Sequence, residues 1–173
     1  FKHVGDRGHR EAIARAFYEG RWIYKAGLAL LVQDDAQSAH VRPQAFSYGT
    51  VCEGLLSDVA GFALSKGLFR GQFFRFRDPP KCTRPTKPGN QHSFHNLILI
   101  AEEEKVIDAD LAKRLHGLRK DRNSVHSRFA ANSNPGKFYV DRGKRYFQTV
   151  VDLVDATKSW KATQAAKLAK GKP

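Results

Sequence analysis

Apolar residues return at helical spacing along most of the chain, and the pattern divides it into helices separated by two polar stretches. From Asp6 to Val32, Ile13, Ala16, Phe17, Ile23, Ala26, Leu28 and Leu31 recur at roughly helical spacing, with two glycines, Gly20 and Gly27, as the interruption. One long or broken helix is predicted there. After the turn-like "QDDAQSAHVRP", Pro43 stands where a helix can start. Ala45, Tyr48, Val51, Cys52, Leu55, Leu56, Val59, Phe62 and Ala63 then follow in i, i+3, i+4, i+7 order, the strongest amphipathic pattern in the chain, with Glu53 beside the stripe.

Past Lys66 the period is lost until about Gln91, and "RDPPKCTRPTKPGNQ" holds four of the seven prolines. A long loop insertion, about 66–91, is expected. Beyond it, "SFHNLILIAEEEKVI" predicts a short buried helix from Ser93 to about Glu104 and a turn into Asp108. Asp108 is placed to cap a helix running through "ADLAKRLHGLRKDRNSVHSRF", with Leu111, Leu115, Leu118, Arg122, Val125 and Phe129 along one side. A turn-rich connection, "AANSNPGKFYVDRG", leads to a last helix from about Asp141 to Trp160, after which the basic tail 161–173 is expected to fray. There is no internal repeat. Four to five helices and no strand predict an all-α bundle, built as one domain over 1–173.

Charge narrows the partners. With 30 Lys+Arg against 17 Asp+Glu the formal net charge is +13, which favours polyanions such as nucleic acid. The loop concentrates this charge in Arg70, Arg75, Arg77, Lys81, Arg84 and Lys87, interleaved with Phe69, Phe73, Phe74 and Phe76. Cations that follow phosphates and rings that stack on bases suit single-stranded RNA or DNA. The same phenylalanines would equally serve as core with the cations as its rim. Apolar runs such as "AGLALLV" are too short to cross a bilayer, so no membrane is expected. Two cysteines, Cys52 and Cys82, make no disulfide framework or zinc spacing, and a reducing cytoplasm is the expected compartment. The chain has no Met, even at position 1, which implies that it begins inside a longer product or was trimmed.

The densest chemistry lies in "LRKDRNSVHSRF", Leu118 to Phe129. On a helix, Arg119, Arg122 and His126 fall within an arc of about 60° at the edge of the apolar stripe. Lys120 and Asp121 lie outside it, and both are expected in solvent. A half-desolvated histidine beside fixed cations can be held neutral and accept a proton. Arginines suit a phosphate or the dianionic phosphorane of RNA cleavage. Such scission needs a base for the 2′-hydroxyl and an acid for the 5′-oxygen, so one histidine is too few. A two-fold dimer would bring a second copy. His92, His95 and His116 lack a carboxylate or cysteine at a recognised ligand spacing, and no metal or cofactor is expected.

The run from His92 to Phe129, "HSFHNLILIAEEEKVIDADLAKRLHGLRKDRNSVHSRF", resembles the C-terminal half of HEPN (higher eukaryote and prokaryote nucleotide-binding) domains, nearest to the bacterial restriction and defence branch. "AFSYGTVCEGLLSDVA" resembles the other core helix of those domains, and "VDRGKRYFQTVVDLVDATKSW" the closing one. Their signature is an Arg and a His separated by four to six residues, usually with a polar residue after the Arg. Arg119 and His126 enclose six; Arg122 and Asn123 resemble the "RN" pair but leave three before His126. The resemblance implies an antiparallel helical bundle. It also implies a homodimeric, metal-independent endoribonuclease of the toxin or phage-defence kind, with Arg119, Arg122, Asn123 and His126 as its site. Non-catalytic relatives bind nucleic acid, dimerise, or join an antitoxin or defence-complex partner, and that is the alternative.

Overall fold

The computed structural model of the chain describes residues 1–30, 35–68, 93–123 and 140–171, and the side chains at 35–39, 140 and 141 are left aside. Every regular element among them is a helix: α1 Arg7–Ala29, α2 Asp35–Ser65, α3 Phe94–Glu103, α4 Ala109–Asn123 and α5 Val140–Lys170. None is long and apolar enough to cross a membrane. The expected loop 66–91 falls almost wholly outside the described residues.

The helix starts follow side-chain chemistry. Asp6, Ser93 and Asp108 each accept a backbone N–H three residues on, from His9 at 2.6 Å, Asn96 at 3.3 Å and Leu111 at 2.8 Å. Each thereby satisfies a donor that the first helical turn leaves free. Between α3 and α4 the backbone turns tightly. Val106 N–H donates to Ala101 O at 2.8 Å and Lys105 N–H to Glu102 O at 3.1 Å, with Lys105 at φ 56° where glycine is the usual occupant. Val106 and Ile107 are buried under this turn, so the hairpin is pinned by apolar contact as well as by its hydrogen bonds.

α2 is the central element. Val41, Ala45, Tyr48, Val51, Cys52, Leu55, Leu56, Val59, Ala60 and Ala63 are all buried, and α1, α3, α4 and α5 all pack on it. A helix enclosed on several sides is apolar over more than one stripe. α1 runs antiparallel to α2: the Tyr48 ring lies where a Cβ on Gly20 would come within 2.7 Å, and His9 contacts the Gly54 carbonyl. The glycine read as an interruption of α1 is therefore what lets the two helices approach. α4 is antiparallel to α5, joined by Arg114 to Asp152 at one end and by Asp121 to Arg142 and Tyr146 at the other. α2 and α5 run the same way, as Tyr48 with Phe147 and Asp58 with Lys161 show, so the bundle mixes both orientations.

Two boundaries differ from expectation. Pro43 lies inside α2, which begins at Asp35; the ring removes one backbone donor but does not stop the helix, and Gln44 Nε2 donates back to the His40 carbonyl at 3.0 Å. At the other end, α5 continues through "KATQAAKLAK" to Lys170 and does not fray at Trp160. Alanine, leucine, lysine and glutamine are strong helix formers, and this intrinsic preference suffices on an exposed extension.

Candidate functional site

The far end of α4 faces α2 and the start of α3 across a cleft of about 490 Å³, lined by Phe46, Glu53, Ser93, Phe94, His95, Arg119, Arg122 and Asn123. Three of the four residues expected to carry chemistry meet here: Arg119, Arg122 and Asn123. The fourth, His126, lies outside the described residues. So do Arg70, Arg75, Arg77, Lys81, Arg84 and Lys87 of the basic loop, with Phe69, Phe73, Phe74 and Phe76.

Arg122 is the most constrained member. Its Nη1 donates to Glu53 Oε2 at 2.5 Å, and its guanidinium sits 5.4 Å from the Phe46 ring centre and 6.0 Å from that of Phe94. The stem crosses α2 at Gly49, where a Cβ would lie 2.8 Å from Arg122 Cδ. Phe46, Gly49 and Glu53 stand at i, i+3 and i+7 on α2, so one helix face supplies a ring, a gap and a carboxylate to a single arginine. Glu53 was expected beside the apolar stripe, and there it compensates part of the cleft's positive charge.

Arg119 lines the same cleft, and its Nε is buried without a hydrogen-bond partner among the described residues. One turn earlier on α4, His116 stacks against His95 of α3, ring centres 5.2 Å apart and tilted by 48°. His116 Nδ1 is likewise buried without a partner among the described residues. Burial first, then the neighbouring His95 and Arg119, lower the His116 pKa below its ordinary value, while Glu102 works in the opposite direction. A neutral ring follows near pH 7. Among the described residues no three His, Cys, Asp or Glu side chains gather as a metal site.

Asp121 differs from the solvated position expected of it. It accepts Arg142 Nη1 at 2.9 Å and the Tyr146 hydroxyl at 2.6 Å, which ties α4 to α5. Burial and this carboxylate contact raise the Tyr146 pKa well above its ordinary value, so the phenol stays a donor. Its neighbour Lys120 is exposed, as expected. Two features of the cleft escaped the sequence reading: Phe46 lies outside the apolar stripe picked out on α2 and was not singled out, and His95 and His116 were weighed only as metal ligands.

Comparison of the chain with protein-family models, with curated proteins and with solved structures finds no match.

Proposed function

We propose that this chain is a metal-independent endoribonuclease of the HEPN kind, acting as a cytoplasmic toxin or defence effector. The observation that carries the reading is the convergence of Arg119, Arg122 and Asn123 on one cleft walled by Phe46 and Phe94. Two guanidiniums oppose one carboxylate there, so the cleft keeps a net positive charge suited to a phosphodiester. Arg119 meets the scissile phosphate and the charge that develops on it. Arg122, held by Glu53, fixes the cleft wall, and Asn123 offers both a donor and an acceptor to substrate. His126, three positions past Asn123, carries a proton. A homodimer presenting two copies of α4 would supply a second histidine.

The deciding experiment is cleavage of single-stranded RNA in EDTA by the wild type, His126→Ala and Arg119→Ala. Loss of at least about 10²-fold in each variant is expected, the usual weight of one proton-transfer group or one charge-stabilising donor. Equal rates for the wild type and His126→Ala overturn the reading.

One observation favours the alternative, a nucleic-acid-binding or adaptor module without turnover: Arg122 already has its carboxylate. That reading predicts tight, strongly salt-dependent RNA binding with no cleavage, weakened when Arg70, Arg75, Arg77 and Arg84 are neutralised together.

A further inference from the structure

RNA scission by transphosphorylation moves two protons. The 2′-oxygen bonds to phosphorus as the bond from phosphorus to the 5′-oxygen breaks; one group takes the 2′-hydroxyl proton and another gives a proton to the departing 5′-oxygen, leaving a 2′,3′-cyclic phosphate and a 5′-hydroxyl. A site with a single histidine lacks one of these carriers. We infer that His95 is the second carrier, supplied to the Arg119 and Arg122 cleft by the same chain.

The inference rests on the ribonuclease reading and changes where its second histidine comes from. His95 opens α3, directly after the Ser93 cap and Phe94, and it is exposed on the cleft wall beside both arginines and Asn123. Its placement is set by the hairpin. His95 stands nine residues before Glu104 and His116 eight after Asp108, so the tight turn brings the two rings level to within about one helical rise of 1.5 Å. His116 then acts as a positioning residue, its ring backing the one that faces substrate. Among the described residues, His116 of α4 lies against the His95 ring, and Arg119 and Arg122 of α4 and Glu53 of α2 are the charged groups that line the cleft with it. Arg119, which would meet the phosphate, thus lines the same cleft as the imidazole that would exchange protons with it. This gives a single chain a phosphate ligand and a proton carrier on two helices joined by a five-residue turn.

The test measures single-turnover cleavage of a single-stranded RNA oligonucleotide in EDTA from pH 5 to 9, using the full chain, His95→Gln and His116→Phe. The wild type is expected to give a bell-shaped profile. His95→Gln is expected to lose about 10²-fold at the optimum together with one limb of the bell, whereas His116→Phe, which keeps a ring against His95, keeps both limbs. His95 is exposed, so His95→Gln should retain the wild-type thermal midpoint, and circular dichroism checks this. The wild-type rate per chain is expected to stay constant on dilution through any dimer dissociation. If the wild type cleaves and His95→Gln keeps its rate and both limbs, the inference is overturned and the ribonuclease reading stands. A wild type that cleaves nothing in EDTA removes both.

Discussion

Arg122 and Glu53, 69 residues apart in the chain, are joined at 2.5 Å, and the pair bridges α4 to α2 in the lining of the cleft. Their side chains are 23% and 32% exposed, intermediate between a surface ion pair and a buried one. A double-mutant cycle with Arg122→Ala and Glu53→Ala should return a coupling of about 1–2 kcal/mol in urea unfolding, above the fraction of a kcal/mol common at exposed pairs. Additive single mutants would show that the contact contributes nothing.

Gly49→Ala should separate stability from site geometry. Alanine in a helix gains about 1 kcal/mol over glycine, but the new methyl would displace Arg122 Cδ from 2.8 Å. The expected outcome is a urea midpoint close to wild type together with weaker RNA binding or cleavage. A variant with unchanged RNA handling would mean that Arg122 need not lie across α2.

Asp121 should prove structural. Tyr146→Phe removes one donor to a half-buried carboxylate and should cost about 1.5–3 kcal/mol, and Asp121→Ala at least as much, because Arg142 and Tyr146 both lose their acceptor. Chemical denaturation measures both. If Asp121→Ala unfolds at the wild-type midpoint, the clamp between α4 and α5 has no weight.

Acid should loosen the α3–α4 hairpin. The folded His116 has its pKa lowered from 6.5, mainly by burial and then by His95 and Arg119. Because the unfolded chain takes up that proton more readily, the contribution is complete above about pH 6.5 and is lost as pH falls through the lower folded value. His3, lowered mainly by burial, acts with the same sign. Denaturant midpoints between pH 7.5 and 5 should therefore fall with pH, and His116→Phe should flatten that dependence. An identical slope in the variant would contradict the assignment.

Much of the helical framework was readable along the chain. Period-3.6 apolar spacing located the bodies of all five helices, and the residue types at Ser93 and Asp108 marked the starts of α3 and α4, because capping and amphipathicity act over one or two turns. Pro43 misled for the same reason: a local rule assigned it a helix start, whereas α2 continues through it. The tail misled in the opposite direction, since its composition reads as low complexity while its alanines favour helix. On α4, the projection grouped Arg119 with Arg122, which line one cleft, and assigned Asp121 to solvent, because a projection places residues around one axis and knows nothing of Arg142 and Tyr146 on α5.

The sequence by itself determined that the described elements would be helical, that the chain is strongly basic, and that an Arg-Arg-Asn cluster would sit at the border of an apolar stripe. Each of these depends on composition or on neighbours a few residues away. Only the tertiary structure decided that Arg122 is held by Glu53 over Gly49, that Asp121 is a clamp, and that His95 meets His116 at the cleft. Those contacts join residues 21 to 73 positions apart, and their geometry arises when helices pack against a shared core, which no spacing within one helix encodes.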